Sequence, residues 1–205
     1  MDRVPSLLPP LPPPARAVLL GFVTGIRSQI PVALLAVEAQ QGRFDPGAGR
    51  LARRFATPLA TQGSLVALAG ELVADKLPMT PRRTTRGPFT QRLVTGATVG
   101  AAVHYDAGES RPLGAVLGAV GAAAGAYAGT RARVFAAERT RLPDPLLGVI
   151  EDLLAAGLAL AVITAGRDAG QKVPAAAQAS STVAPPLKGA SWSSTRAGVN
   201  GSGTS

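Results

Sequence analysis

The stretch that decides the fold is Gly-Phe-Val-Thr-Gly-Ile-Arg at residues 21–27, and its pattern returns as Gly-Ala-Tyr-Ala-Gly-Thr-Arg at residues 125–131. Each copy places two glycines four residues apart and an arginine two residues further on, inside an apolar stretch. Glycines at this spacing lie on one helix face and let a second helix approach closely. We therefore predict helix packing at the glycines of both copies and at the one that precedes the second copy: Gly21, Gly25, Gly121, Gly125 and Gly129.

The composition favours a membrane protein over a soluble one. Hydrophobic residues make up 46% of the 205 residues but aromatic residues only 4%, because Ala and Gly supply much of the apolar content. The mean hydropathy is +0.22 although both ends of the chain are polar. Helices in lipid pack through small residues, since lipid removes the hydrophobic drive between them. The lipid bilayer is therefore the expected partner, and a homo-oligomer is compatible with the same glycines.

The net charge of +9 comes from 21 Lys and Arg against 12 Asp and Glu, and it allows two interpretations. One is nucleic-acid binding, and the other is positively charged loops that flank membrane helices. The basic residues cluster between apolar stretches and lack interleaved aromatics, so we favour the loops and expect no nucleic-acid partner. The chain has no Cys and a single His, so we expect no metal site and no cofactor.

The chain divides into about five apolar segments between two polar ends. Such segments are typical of an all-α, polytopic membrane protein. Arg27 and Pro31 interrupt the first segment, and a proline there predicts a kink or a break into two half-helices. The predicted segments are residues 17–39, 65–77, 93–105, 112–135 and 146–165. Lys76, Arg82, Arg83, Arg86 and Arg92 are assigned to a basic loop between the second segment and the third.

We predict a helical membrane domain at residues 17–166, with a disordered Pro-rich start at 1–16 and a disordered Ala/Ser/Gly-rich tail at 167–205. The repeated pattern suggests two halves, at about 17–107 and 112–166. Three crossings would precede the second copy, so the halves would form an inverted repeat, as in many transporters. The distribution of arginines favours a cytoplasmic N-terminus and an external tail in a multi-pass protein of the bacterial inner membrane.

Ionisable residues within apolar segments are the candidate site. A charge at the centre of a bilayer is costly, so such groups usually face the interior of the bundle and pair. We expect Arg27 to pair with Glu71 or Asp75, and Arg131 to pair with Glu151 or Asp152. These six residues could bind a substrate or an ion, or they could only pair with each other, or some of them could lie at the membrane surface. A catalytic residue is not identified.

Several blocks resemble a known family. They are GFVTGIRS at residues 21–28 with PVALL from Pro31, GELVADKLP from Gly70 with PRR from Pro81, and GATVG from Gly96. They resemble a family of small bacterial membrane proteins known as domain of unknown function 4126, over residues 17–165. The resemblance implies a multi-spanning membrane protein and supplies no catalytic residue.

Three functions are compatible with these residues. The first is a small transporter or channel for an ion or an anionic solute, which uses the intramembrane Arg and Glu residues. The second is a membrane-embedded enzyme that acts on a lipid phosphate through Mg²⁺ held by acidic residues. The third is a noncatalytic scaffold that assembles through the glycines. The absence of an Asp-rich metal motif ranks the enzyme below the transporter.

Overall fold

A computed structural model describes residues 9–47, 56–74, 85–140 and 143–171 of the chain. Within these residues the protein is all-helical, as predicted, and contains no strand. In this part of the chain six helices follow one another: α1 (Pro13–Ile26), α2 (Gln29–Gln40), α3 (Pro58–Ala74), α4 (Arg86–Asp106), α5 (Arg111–Arg139) and α6 (Asp144–Gln171).

The first predicted segment is broken into α1 and α2, with Arg27 and Ser28 between them. Arg27 has an extended backbone, with φ −136° and ψ 106°. In a continuous helix Pro31 would lack the N–H that bonds the carbonyl of Arg27, and its ring would clash with that carbonyl. Pro31 instead lies in the first turn of α2, where a missing N–H removes no intrahelical bond.

The break reverses the direction of the chain. Arg16, near the start of α1, lies 3.9 Å from the carboxylate of Asp106 at the end of α4. Asp45, just beyond α2, donates its backbone N–H to the same carboxylate at 2.9 Å. Both ends of the α1–α2 unit thus meet at Asp106, so the unit is a hairpin whose tip is Arg27 and Ser28. The first segment is therefore not one interrupted crossing helix.

α5 packs against α1 through glycines of both copies of the repeated pattern. A Cβ atom on Gly21 or Gly25 would overlap backbone atoms of α5. A Cβ on Gly121 would approach the backbone of Val18, and one on Gly125 would approach that of Phe22. Residue numbers increase together along this contact, so α1 and α5 run in the same direction. The inverted orientation predicted for the two copies is corrected, because the hairpin adds one reversal to the three crossings that were counted.

α5 packs against α4 in the same close manner, and Gly118 contacts both α1 and α4. A Cβ on Gly96 would meet Gly118, and one on Gly100 would meet both Gly114 and Gly118. Residue numbers here increase on one helix as they decrease on the other, so α4 and α5 are antiparallel. α5 therefore packs against both α1 and α4, and these glycines are used for contacts within one chain.

Two of the predicted boundaries at the polar ends shift in the structure. α1 begins at Pro13, so part of the Pro-rich start at residues 1–16 is helical, because proline is tolerated in a first helical turn. α6 continues to Gln171, beyond the predicted end of the membrane domain at residue 166.

The third predicted segment also starts earlier than expected. α4 begins at Arg86, so Arg86 and Arg92 are helical and do not belong to a basic loop. Pro88 misled the prediction, since it lies in the first turn of α4 and leaves the helix intact. Asp75 and the basic residues from Lys76 to Arg83 lie outside the described residues.

Many large apolar side chains lie on the outside of the bundle, while its interior combines apolar residues such as Leu20 and Leu35 with small and polar ones. Leu153 and Leu154 of α6 are 69% and 70% exposed, and valines of α5 are exposed as well. Arg27 and His104, in contrast, are almost fully buried. Among the described residues, two helical spans are long and apolar enough to cross a membrane, Arg111–Arg139 and Leu146–Gly166, against the five that were expected. α1 and α2 are too short, and α4 contains several charges.

Candidate functional site

The tip of the α1–α2 hairpin leaves two helix ends inside the bundle, and oppositely charged side chains cap them. The last carbonyls of a helix carry partial negative charge and the first N–H groups carry partial positive charge. Arg92 of α4 donates from Nε to the carbonyl of Gly25, near the end of α1, at 3.0 Å. Glu71 of α3 lies at the start of α2. Each side chain is therefore opposite in charge to the helix end that it meets.

Glu71 accepts hydrogen bonds with both of its carboxylate oxygens. Oε1 accepts from the backbone N–H of Ser28 at 2.9 Å and from the hydroxyl of Ser28 at 2.8 Å. Oε2 accepts from the backbone N–H of Gln29 at 2.9 Å. Arg92 Nη2 lies 3.5 Å from Oε1 and completes the set. Glu71 therefore joins the hairpin tip to α3 and α4.

Arg27 pairs with two carboxylates of α6. Its side chain is 1% exposed, its Nε donates to Asp152 Oδ1, and its Nη2 lies 3.6 Å from Glu151 Oε2. The same oxygen of Glu151 lies 3.6 Å from Nη1 of Arg133 on α5. Among the described residues Arg27 thus meets the two carboxylates that were predicted for Arg131, while Asp75, one of its own two predicted partners, lies outside the described residues.

The structure gathers six charged side chains around the hairpin tip, which we call the tip cluster. Among the described residues it contains three arginines and three carboxylates, whose formal charges balance: Arg27, Arg92, Arg133, Glu71, Glu151 and Asp152. The carboxylates retain 13–17% exposure, whereas Arg27 and Arg92 are 1% and 6% exposed. The cluster is therefore largely shielded but not sealed from its surroundings.

Four of the six predicted site residues lie in the tip cluster: Arg27, Glu71, Glu151 and Asp152. Arg131 is exposed on α5 and does not join them. The pairing with Glu151 that was predicted for Arg131 is made by Arg133, two residues later. Asp75 lies outside the described residues, so no contact is assigned to it.

Sequence analysis missed three members of the site: Ser28, Arg92 and Arg133. Ser28 follows Arg27 directly and could have been found as a polar residue that precedes Pro31 by one turn. Arg92 was assigned to a loop because of Pro88, although an apolar segment follows it at once. No signal separates Arg133 from Arg131, since both lie near the same end of an apolar segment.

An open groove of about 370 Å³ extends from the tip cluster between α1, α5 and α6. Arg133 and Glu151 are its charged lining residues, and the others are apolar or small. Gly129, one of the predicted packing glycines, is buried and also lines the groove. The groove gives the tip cluster access to the outer surface of α5 and α6.

A second polar group lies at the opposite end of α1. Arg16 is buried, and its guanidinium occupies the position that a side chain at residue 166 would fill. His104 is fully buried against Gly114, and neither of its ring nitrogens has a hydrogen-bond partner. Among the described residues, no three His, Cys, Asp or Glu side chains are grouped as metal ligands.

Comparisons with protein-family models, with curated proteins and with solved structures find no match to this chain.

Proposed function

We propose that the protein is a multi-pass protein of the bacterial inner membrane that moves an ion or a small anionic solute through the tip cluster. The exposed leucines and valines of α5 and α6 support the membrane setting, because large apolar side chains are stable against lipid and not against water. Two spans that are long and apolar enough to cross support it further. Helices α1–α4 would complete the bundle around the two spans.

The observation that carries this proposal is the reversal of α1–α2 at a charged cluster. Discontinuous helices in transporters place half-helix ends at the substrate site, where the partial charges of the backbone meet the solute. The α1–α2 hairpin places an N-terminal and a C-terminal helix end beside three arginines and three carboxylates. Such a site offers both signs of charge to a solute.

The hydrogen bonds of Glu71 suggest how an anion could bind. Its carboxylate accepts three hydrogen bonds, two from Ser28 and one from Gln29. The same three donors would also suit a carboxylate or phosphate group of a solute. Arg92 adds a charged donor beside them. In this proposal a solute anion displaces Glu71, and the return of Glu71 releases the solute.

The test is solute flux into liposomes that contain the purified protein. Chloride, nitrate, phosphate and acetate are supplied one at a time, and uptake is compared with empty liposomes. We expect uptake of at least one anion, and a loss of about tenfold or more in Glu71→Gln and Arg27→Ala. The exposed residues Glu138 and Arg131 supply matched controls, Glu138→Gln and Arg131→Ala, which should transport as the parent does.

Helical content and elution volume in detergent separate loss of transport from loss of folding. A folded Glu71→Gln variant with full uptake would contradict the role given to the tip cluster. No uptake of any of these anions or of Na⁺, K⁺ or H⁺ by the folded parent protein would overturn the proposal.

A further inference from the structure

We propose that the carboxyl group of Asp106 binds a proton and thereby closes the end of the α1–α2 hairpin that lies opposite its tip. This end, which we call the hairpin base, is where Arg16 of α1 and Asp45 beyond α2 both meet Asp106 of α4. Closure of the base is a property of the fold and does not depend on transport. Three features of the base support a bound proton: the helix end that carries Asp106, the neighbours of its carboxyl group, and a cavity that reaches it.

Asp106 lies at a helix end that disfavours a negative charge. It is the last residue of α4, and the carbonyls at the end of a helix carry partial negative charge. A carboxylate is favourable at the start of a helix and unfavourable at its end. A neutral carboxyl group avoids this repulsion, so the position favours the protonated form of Asp106.

The neighbours of Asp106 compensate its negative charge incompletely. Its Oδ1 accepts a hydrogen bond from the backbone N–H of Asp45 at 2.9 Å. Its Oδ2 lies 3.9 Å from Arg16 Nη2, which is too far for a hydrogen bond. Asp45 also brings its own carboxylate to the base, where the N–H of Gly47 holds it at 2.8 Å. Two carboxylates that share a site disfavour each other's ionised form.

The other titratable groups near the base are engaged elsewhere or exposed. Arg43 donates to both carboxylate oxygens of Glu38 at 3.0 Å. Arg111 of α5 lies over an aromatic ring of α4, 3.8 Å from the ring centroid. His104 is fully buried against α5, and Glu109 is exposed. Arg16 and Asp45 are therefore the charged neighbours that act on the carboxyl group of Asp106 among the described residues.

Burial and these neighbours raise the pKa of the Asp106 carboxyl group, which lies outside the two spans that could cross a membrane. Burial is the largest cause, since the side chain is 24% exposed, and the carboxylate of Asp45 acts in the same direction. The N–H bond from Asp45 and the charge of Arg16 lower the pKa but are outweighed. α6 contributes Gly166 to this end, which packs against Arg16 and carries no charge.

The raised pKa links closure of the base to pH. When the base opens, Asp106 enters water and its pKa returns to about 3.9, the usual value of an aspartate. The closed base therefore binds a proton more tightly than the open base does. Closure becomes more favourable as the pH falls through the raised pKa, has its full gain below the usual pKa, and loses that gain as the pH rises.

An open cavity of about 450 Å³ gives protons access to the base. Asp45 and Asp106 line it, together with Arg43 and Phe44. A polar cavity of this size has room for water molecules. The carboxyl group of Asp106 can therefore exchange its proton with the medium while the base stays closed.

Infrared titration tests whether Asp106 holds the proton. The full chain in phosphatidylcholine nanodiscs is titrated from about pH 8 to about pH 3, and the C=O stretching band of protonated carboxyl groups is compared with that of Asp106→Asn. We expect a band that is lost in Asp106→Asn and that still has half of its intensity at a pH clearly above about 3.9. A band that reaches half of its intensity only at or below that pH would overturn the proton site.

Hydrogen exchange at the amide of Asp45 tests closure, because this N–H is donated to Asp106. Asn keeps an oxygen that accepts the bond and stays neutral at every pH. After correction for the intrinsic effect of pH, Asp106→Asn should slow exchange at Asp45 about threefold or more at about pH 7 and match the parent protein at about pH 4. Glu109→Gln removes an exposed carboxylate three residues away and should leave exchange at Asp45 unchanged.

Asp45→Asn is a second variant, which keeps the backbone N–H and removes the neighbouring carboxylate. It should lower the pH at which the infrared band of Asp106 has half of its intensity, and this comparison with the parent protein holds even if Asp106→Asn does not fold. An unchanged midpoint in Asp45→Asn would contradict the role given to the paired carboxylates.

Two results of hydrogen exchange would overturn the inference. Faster exchange at Asp45 in Asp106→Asn than in the parent protein at about pH 7 would show that the ionised carboxylate holds the base. A ratio of the two exchange rates that is the same at both pH values would show that no proton is linked to closure. Neither result bears on anion flux, so the proposed function stands or falls separately.

Discussion

Glu71 accepts two hydrogen bonds from Ser28, one from its backbone N–H at 2.9 Å and one from its hydroxyl at 2.8 Å. These bonds tie α3 to the tip of the α1–α2 hairpin across 43 residues of sequence. Because the tip is also the start of α2, the carboxylate neutralises the partial positive charge of that helix end. Glu71 thus fixes the fold at the place where a solute would bind.

Replacement of Glu71 by Gln should destabilise the protein. The variant loses the charge and turns one amide N–H₂ towards a backbone N–H, so at least one charge-assisted bond is lost, worth about 1.5–3 kcal/mol. The free energy of unfolding in mild detergent, followed by circular dichroism, measures the loss. Glu138→Gln on the exposed side of α5 is the control and should change it by less than about 0.5 kcal/mol. Similar losses in both variants would mean that the bonds from Ser28 and Gln29 contribute little.

Arg27 and Asp152 should show strong coupling. Removal of one partner from a buried ion pair leaves the other charge uncompensated, which costs about 3–5 kcal/mol. We therefore expect Arg27→Ala and Asp152→Ala to destabilise the protein by about that amount each. The double variant should lose less than the sum, because each single variant already removes the contact between Arg27 and Asp152. Strictly additive losses, measured by the same unfolding assay, would contradict the pairing.

The sequence predicts the elements of this fold better than it predicts their partners. The break between α1 and α2 could be foreseen because Pro31 acts on the carbonyl of Arg27, four residues away. Whether the chain bends or reverses there depends on which groups meet the two new helix ends. Those groups, Glu71 and Arg92, come from α3 and α4, so the outcome is not a local property.

The same limit applies to the predicted ion pairs. Arg27 was paired with Glu71 or Asp75 because all three lie in the first half of the repeat, and Asp75 lies outside the described residues. The reversal at Ser28 brings Glu71 to one side of the tip and Asp152 to the other, and Arg27 faces Asp152. The glycines were easier to place, because close packing depends on the absence of a side chain rather than on its direction.

Gly118 and Gly157 should respond to alanine in opposite directions. Gly118 lies where α4 and α5 approach most closely, and an added Cβ would overlap the carbonyl of Gly96, so Gly118→Ala should destabilise by about 1–3 kcal/mol. Gly157 has no atom near an added Cβ, so Gly157→Ala should stabilise α6 by about 0.5–1 kcal/mol through lower backbone entropy. The midpoint temperature of unfolding in detergent should fall for Gly118→Ala and rise for Gly157→Ala. A stabilised Gly118→Ala variant would contradict the close packing of α4 on α5.

The glycines of α1, α4 and α5 pack against each other within one chain. We therefore do not expect their replacement to abolish an oligomer while the monomer stays folded. Gly121→Leu would place a side chain in the backbone of α1 near Val18. We expect this variant to lose folded monomer, as judged by size-exclusion chromatography in detergent. A folded monomer that has only lost an oligomer would instead favour the scaffold hypothesis.

The hairpin makes a further prediction about membrane sidedness. The chain has no Cys, so single cysteines report position without a background. Pro10 and Gln41 lie at the two ends of the α1–α2 unit, and both are exposed. Since the unit returns to Asp106, Pro10→Cys and Gln41→Cys should react with a membrane-impermeant maleimide from the same side. One crossing helix would instead place them on opposite sides.

Two further positions serve as references for the two sides of the membrane. Ser110 precedes α5 and Thr140 follows it, so Ser110→Cys should share the side of Gln41→Cys, while Thr140→Cys should react from the other side. Labelling of intact cells and of inverted vesicles supplies both directions of access, and denatured samples show that each cysteine can react. Opposite sides for Pro10→Cys and Gln41→Cys, with Ser110→Cys and Thr140→Cys also opposite, would show that the chain does not reverse at Arg27 and Ser28. The shared position of Arg16 and Asp45 at Asp106 predicts the contrary result.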